Sequence, residues 1–396
     1  MRLILDDTDL DYQVQRAVAK TDFGMANVGE CMAIASQISA SDLDSWYSAF
    51  SRFAAGLRER ADAAAVAGHS VTARGAYLRA CEYFRSAFFY LRGDLDDERL
   101  ATSYEASREC FRAAAGLHEY PLEPIELPID SARYGGYLAL PPGEGPFPLV
   151  LAPGGYDSTA EEAYPTIVAG VSRGYGVLAF DGPGQGGTLY EQRVRMRPDW
   201  EAVIPPVVDG LLPHPAVDAD RLVLLGRSLG GYLAPRAASG EPRLAALIAD
   251  PGQYDLGATL RERLPKQLLD RLGDDSDEAR DAFEALLDDE RGRRLFAPRM
   301  AVHGASTVQE FCRMVLDYTN AGRAGSIRCP TLVCDNETDP ISSGQGQRLY
   351  EALHCPKEFV RFTAAEGAEG HCEGMGAIVF YDRAFDWLDS TLAQRG

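Results

Sequence analysis

The chain of 396 residues is predicted to be an α/β protein: a mostly parallel sheet with helices on both faces, a helical N-terminal domain and a helical insertion. Three observations predict this. From about residue 147, continuous apolar runs of strand length alternate with helical segments, the pattern of strands covered on both faces. The stretch before about residue 122 has helical spacing throughout. One apolar run, at 222–225, ends in Gly226-Arg227-Ser228-Leu229-Gly230-Gly231 and turns helical from Tyr232, which places a serine on a sharp turn between strand and helix.

Taken in order, residues 1–122 form the helical N-terminal domain, expected to act as a cap over the sheet domain at 123–396. Ser41 is an expected N-cap, with Asp44 three residues on. Trp46, Phe50, Phe53 and Leu57 then recur at helical spacing. A second helix carries Tyr77, Ala80, Phe84, Phe88 and Leu91 on one face and stops near Gly93. A third runs from about Asp96 through Tyr104 to Phe111. The aromatic stripe reads as packing. Beyond Tyr120-Pro121-Leu122, segments 126–130 and 134–140 read as two short strands joined by a turn, and 141–146 as a loop. Further strands are expected at 147–152, 175–180, 222–225, 244–249, 331–334 and 359–362. Between Asp250 and Cys329 the texture is helical and acidic. It predicts a helical insertion, or lid, over about 255–325, because a structureless loop of that length is uncommon in a compact domain. Its run Asp274-Asp275-Ser276-Asp277-Glu278 reads as a solvated helix face.

The net charge of -20, without a Lys/Arg cluster, argues against nucleic acid and anionic membrane as partners. No stretch is long and apolar enough to span a bilayer. The start turns acidic at Asp6-Asp7 without a signal-peptide core, so a cytoplasmic protein is expected. The eight cysteines contain no C-x-x-C pair and are expected to be reduced thiols.

Ser228, exposed by its turn at a helix N-terminus, is the candidate nucleophile. A serine nucleophile needs a base, and the base an orienting acid. His371 lies in the loop after the last strand, Gly370-His371-Cys372-Glu373-Gly374, where the base is required. The acid should follow the preceding strand, where Asp335, Glu337 and Asp339 all lie. Asp339, deepest in the loop and followed by Pro340, is favoured, with Asp250 as the alternative one strand earlier. Charge developing on a substrate oxygen needs backbone N–H donors. The Leu229 amide is one candidate, and the Gly155 or Tyr156 amide, in Pro153-Gly154-Gly155-Tyr156-Asp157, is the other. A formal G-x-G-x-x-G occurs in Asp181-Gly182-Pro183-Gly184-Gln185-Gly186-Gly187. Its internal proline and the absence of a strand after it argue against a dinucleotide site. No cofactor or metal is expected.

Four segments carry a family resemblance: residues 153–162, 180–186, 226–231 and 241–246. With them the chain resembles the α/β-hydrolase superfamily, and within it the branch of 2,6-dihydroxypseudooxynicotine hydrolase and the fungal polyketide-shortening hydrolases. The resemblance covers about 125–396, and more loosely the N-terminal helices. It implies a cofactor-free Ser-His-Asp hydrolase, often dimeric, with Ser228 as nucleophile, Asp339 as acid and His371 as base. It also implies cleavage of a carbon–carbon bond beside a ketone in aryl 1,3-dicarbonyl-type substrates, or of an ester, while the N-terminal helices and the insertion suggest an enclosed pocket for a mid-sized, partly aromatic molecule. A short-peptide peptidase, an acyltransferase or cyclase, and a binding protein on the same scaffold with little turnover are the alternatives. The long insertion and Tyr156 depart from the branch pattern, so substrate identity does not carry over.

Overall fold

The computed structural model describes residues 3–39 and 42–394. Five helices open the chain: α1 (Thr8–Val18), α2 (Val28–Ala35), α3 (Leu43–Val66), α4 (Ser70–Phe88) and α5 (Glu98–Ala115). Ser41, the expected cap of α3, lies outside the described residues; Asp42 caps this helix, its carboxylate accepting from the Asp44 and Ser45 amides at 3.0 and 3.2 Å. The aromatic stripe is packing: Trp46, Phe50, Phe84, Phe88 and Phe111 are all buried.

Eight strands come next: β1 (Leu122–Ile129), β2 (Ala132–Ala139), β3 (Phe147–Pro153), β4 (Gly176–Phe180), β5 (Val217–Arg227), β6 (Leu244–Asp250), β7 (Thr331–Asn336) and β8 (Lys357–Phe362). They form one sheet in the order β1-β2-β4-β3-β5-β6-β7-β8. The β1–β2 and β2–β4 pairings are antiparallel and all others parallel. Between the strands lie α6 (Tyr164–Val171), α7 (Gly186–Tyr190), α8 (Ile204–Leu211) and α9 (Gly230–Ala238). The insertion contributes α10 (Leu256–Arg263), α11 (Lys266–Leu269), α12 (Asp277–Glu284), α13 (Glu290–His303) and α14 (Val308–Val315). The chain closes with α15 (Gln345–Ala352) before β8 and α16 (Ala377–Ala393) after it.

Alternate strand residues bury on opposite faces, which is why the strands read as unbroken apolar runs. Val150, Val177, Val223 and Ile248 face α6, α16 and the N-terminal helices in one continuous core. Leu149, Leu151, Leu178, Leu224 and Leu247 face α8, α9 and α15 in a second. The insertion has a small core of its own, built from Leu264, Leu268, Phe283, Phe296, Phe311 and Val315. Its acidic run is exposed, and Ser276 within it caps α12. None of the eight cysteines is in a disulfide; Cys355 and Cys372 are half-buried and the other six buried.

Candidate active site

The parallel strands end at one edge of the sheet, and the loops leaving them bring the candidate residues together. β5 ends at Arg227, and Ser228 comes next, in the left-handed region at φ 57°, a strained conformation for a residue with a side chain. Three bonds hold it there. Its amide donates to Asp250 O at 2.8 Å, and its carbonyl accepts from the Gly231 amide at 2.8 Å and Gln253 Nε2 at 2.6 Å. Sterics require two of the three nearby glycines. A Cβ on Gly226 would lie 2.0 Å from Gly230 O, and one on Gly231 only 1.8 Å from Pro251 O. A Cβ on Gly230 would meet nothing closer than Gly154 O at 3.5 Å.

Ser228 Oγ lies 2.8 Å from His371 Nε2, and His371 Nδ1 lies 2.9 Å from Asp339 Oδ2. Asp339 is buried; its carboxylate accepts from the Ile341 amide at 2.7 Å and from the Ser342 hydroxyl. Burial works against its charge, but the bonds from His371, Ser342 and Ile341 outweigh it and hold its pKa below the ordinary value. Burial likewise opposes a charged His371, yet neighbouring Cys372 and Asp339 favour the imidazolium, and the net shift is well upward.

The other acids are engaged elsewhere. Asp335 faces Arg361 at 3.8 Å, and Glu337 accepts from the Ala364 amide at 2.9 Å. Asp250, completely buried, accepts from Arg227 Nε at 2.7 Å. Arg227 also donates to Glu373 Oε2 at 2.6 Å and Cys372 O at 2.9 Å, and Glu373 accepts from Asn336 Nδ2 at 2.9 Å. This buried cluster ties the end of β5 to the histidine loop, where Cys372 and Glu373 sit at φ 52° and 60°. Sequence reasoning did not single out Arg227 or Glu373. Their 146-residue separation carries no spacing signal.

Gly155 runs against the serine. A Cβ there would fall 2.9 Å from Ser228 Cβ and 3.3 Å from Ser228 Oγ, so only glycine permits this approach. Among the described residues, none accepts a backbone hydrogen bond from the Leu229, Gly155 or Tyr156 amide. The loop is gripped from two sides. From the N-terminal helices, Arg16 binds both oxygens of Asp157 at 2.7 and 3.2 Å and reaches Glu162 at 3.1 Å. Arg85 and Lys20 also pair with Glu162, at 2.8 and 2.7 Å. From the insertion, His303 Nε2 hydrogen-bonds the Tyr156 hydroxyl, its Nδ1 lies 3.2 Å from Tyr318 OH, and Arg299 stacks 5.5 Å from the Tyr156 ring centre. Burial and Arg299 lower the His303 pKa to about 4, so this imidazole is neutral.

The Gly-rich run after β4 folds onto itself. Asp181 accepts from the Gly187 amide at 2.9 Å, taking a donor that a bound phosphate would need. A Cβ on Gly184 would strike Met196 at 2.5 Å, so this glycine is required by internal packing. No group of His, Cys, Asp and Glu suited to a metal ion occurs among the described residues, and no helix there is long and apolar enough to cross a membrane.

Comparison with known proteins places this geometry in a family context. The sequence profile of the alpha/beta hydrolase family matches residues 149–379. A hydrolase of Aspergillus aculeatus is 34% identical over 96% of this chain and 95% of its own length. A 20-hydroxy-prefusarin hydrolase of Gibberella moniliformis is 32% identical over 97% of this chain and 96% of its own. Among solved structures, the 2,6-dihydroxy-pseudo-oxynicotine hydrolase superposes with a TM-score of 0.74, at 24% identity, over 94% of each chain.

Proposed function

The chain belongs to the alpha/beta hydrolase family, and from that premise we propose that it is a serine hydrolase with Ser228 as nucleophile, His371 as base and Asp339 as the acid that orients the base. The observation that carries the proposal is the unbroken chain of contacts, 2.8 Å from Ser228 Oγ to His371 Nε2 and 2.9 Å from His371 Nδ1 to Asp339 Oδ2. Ser228 attacks a substrate carbonyl as His371 takes the hydroxyl proton, and Asp339 stabilises the resulting imidazolium. The amides of Leu229 and of Gly155 or Tyr156 stabilise the oxyanion. His371 then protonates the leaving group, and water attacks the acyl-enzyme.

The substrate is a mid-sized, partly aromatic or polyketide-like ketone, cleaved at a carbon–carbon bond beside the carbonyl. The full-length match to a relative named for a prefusarin substrate supports this class. So does the enclosure of the Gly155–Tyr156 loop between N-terminal helices and insertion, which we read as a cap and a lid. The same residues serve ester cleavage when the leaving group is an alkoxide. Incubation with aryl 1,3-diketones and aryl esters in isotopically labelled water tests the assignment. Acid products carrying the label are expected, from the diketone in preference to the ester, and none from Ser228→Ala. Ester turnover alone would transfer the reading to a carboxylesterase.

A further inference from the structure

The Gly-rich run that resembles a nucleotide motif has no part in the chemistry above, yet one of its side chains reaches the loop that lies against Ser228. Gln185 is buried, and both ends of its amide are used. Its Oε1 accepts from the Gly182 amide at 2.9 Å. Because that partner is a donor, the other end of the side chain is the NH₂ group. This Nε2 donates to Gly154 O at 2.5 Å and to Gly155 O at 3.2 Å.

Those two carbonyls belong to the peptides whose N–H groups are the Gly155 and Tyr156 amides. Both peptides are trans. In a planar trans peptide the C=O and the N–H of the next residue point in opposite directions. Holding both carbonyls toward Gln185 therefore turns both N–H groups away from it, out of the same stretch of loop that presses its Gly155 Cα against Ser228. A glycine pair has little intrinsic preference for this orientation, so the side chain must impose it. We propose that Gln185 is a positioning residue that fixes the peptide orientation of the oxyanion loop. The proposal rests on the hydrolase reading above. It gives the Gly-rich run a function of its own: the tight turn carries one amide to the loop, and Asp181 closes the turn behind it.

The test uses the full chain with p-nitrophenyl butyrate as substrate and an aryl trifluoromethyl ketone as inhibitor, which forms a tetrahedral oxyanion on the serine. Gln185→Leu keeps the bulk and removes both hydrogen-bonding ends. Its kcat should fall by about 10- to 100-fold at an unchanged KM, a portion of the loss seen when one oxyanion donor is deleted. The inhibition constant of the ketone should rise by the same factor, a correlation that general loosening of the fold does not produce. Gln185→Glu keeps the acceptor for Gly182, and as the ionised carboxylate it faces both carbonyls with no donor. Its kcat relative to wild type should rise on acidification, as the protonated carboxyl regains a donor. It also carries the test if the leucine variant does not fold. A folded variant of either kind with kcat within twofold of wild type and unaltered ketone affinity overturns the proposal alone. Failure of the wild type to hydrolyse the ester and to bind the ketone would overturn the hydrolase reading, and this proposal with it.

Discussion

At the scale of single residues, the site depends on groups held in conformations that only their surroundings sustain. Ser228, Cys372 and Glu373 all lie at positive φ without being glycine, and all sit in the two loops that carry Ser228 and His371. Asp339→Asn should lower kcat by about four orders of magnitude, because the amide no longer holds the imidazole in the required tautomer. Steady-state rates at fixed pH check this. The raised pKa of His371 has a definite sign in the pH profile. The proposed base must act as neutral imidazole, so a pKa above the ordinary 6.5 should move the acid limb of kcat/KM above pH 6.5. A limb centred at or below that value would contradict the shift. The glycines around Ser228 make a sharper test of packing. Gly231→Ala, with its Cβ 1.8 Å from Pro251 O, should cost about 3 kcal/mol or more in urea unfolding. Gly230→Ala, inside α9 with 3.5 Å of clearance, should be neutral or stabilise by up to about 1 kcal/mol. The G-x-S-x-G spacing was legible in sequence, but this inequality was not. It depends on where the Pro251 carbonyl arrives from another strand end.

At the scale of elements, β3, β4, β6 and β7 were legible because burial on both faces writes an unbroken apolar run, whereas the edge strands β1 and β8 bury only some of their residues. The helices α1 and α2 fall in the stretch read as helical, but their separate bounds were not legible. The buried face of α1 carries Asp11 and Gln13, polar residues that mask its periodicity. Asp11 is satisfied there by accepting from the Leu3, Ile4 and Leu5 amides at 2.9, 2.8 and 2.9 Å. The contact of α13 with the Gly155–Tyr156 loop was equally hidden, since Tyr156 and His303 lie 147 residues apart. That contact has a pH signature. The folded pKa of His303, about 4, lies below the ordinary 6.5, so the unfolded chain binds the extra proton first. Stability should therefore fall as pH drops from about 6.5 toward 4. His118, shifted by burial to about 4, adds to the same slope. His303→Gln should flatten part of it in urea titrations across that range, and an unchanged slope would count against a neutral, buried imidazole.

At the scale of the whole molecule, the N-terminal helices and the sheet share one core, in which Trp46, Phe50 and Phe111 join Tyr137, Val150 and Phe385. A chain reduced to residues 123–396 would expose that surface, and is expected to lose near-ultraviolet circular dichroism and to aggregate. A folded, active fragment would contradict the shared core. The change in texture near residue 120 was legible as a boundary between helices and strands. Their common core was not, because apolar periodicity reports that a face is buried and not what buries it. The central claim is that Ser228 is an activated nucleophile. Intact-protein mass spectrometry after exposure to a fluorophosphonate, beside the Ser228→Ala variant, tests it most directly. One adduct on the wild type and none on the variant is the predicted result. An unmodified wild type, or an equal adduct on the variant, would contradict it.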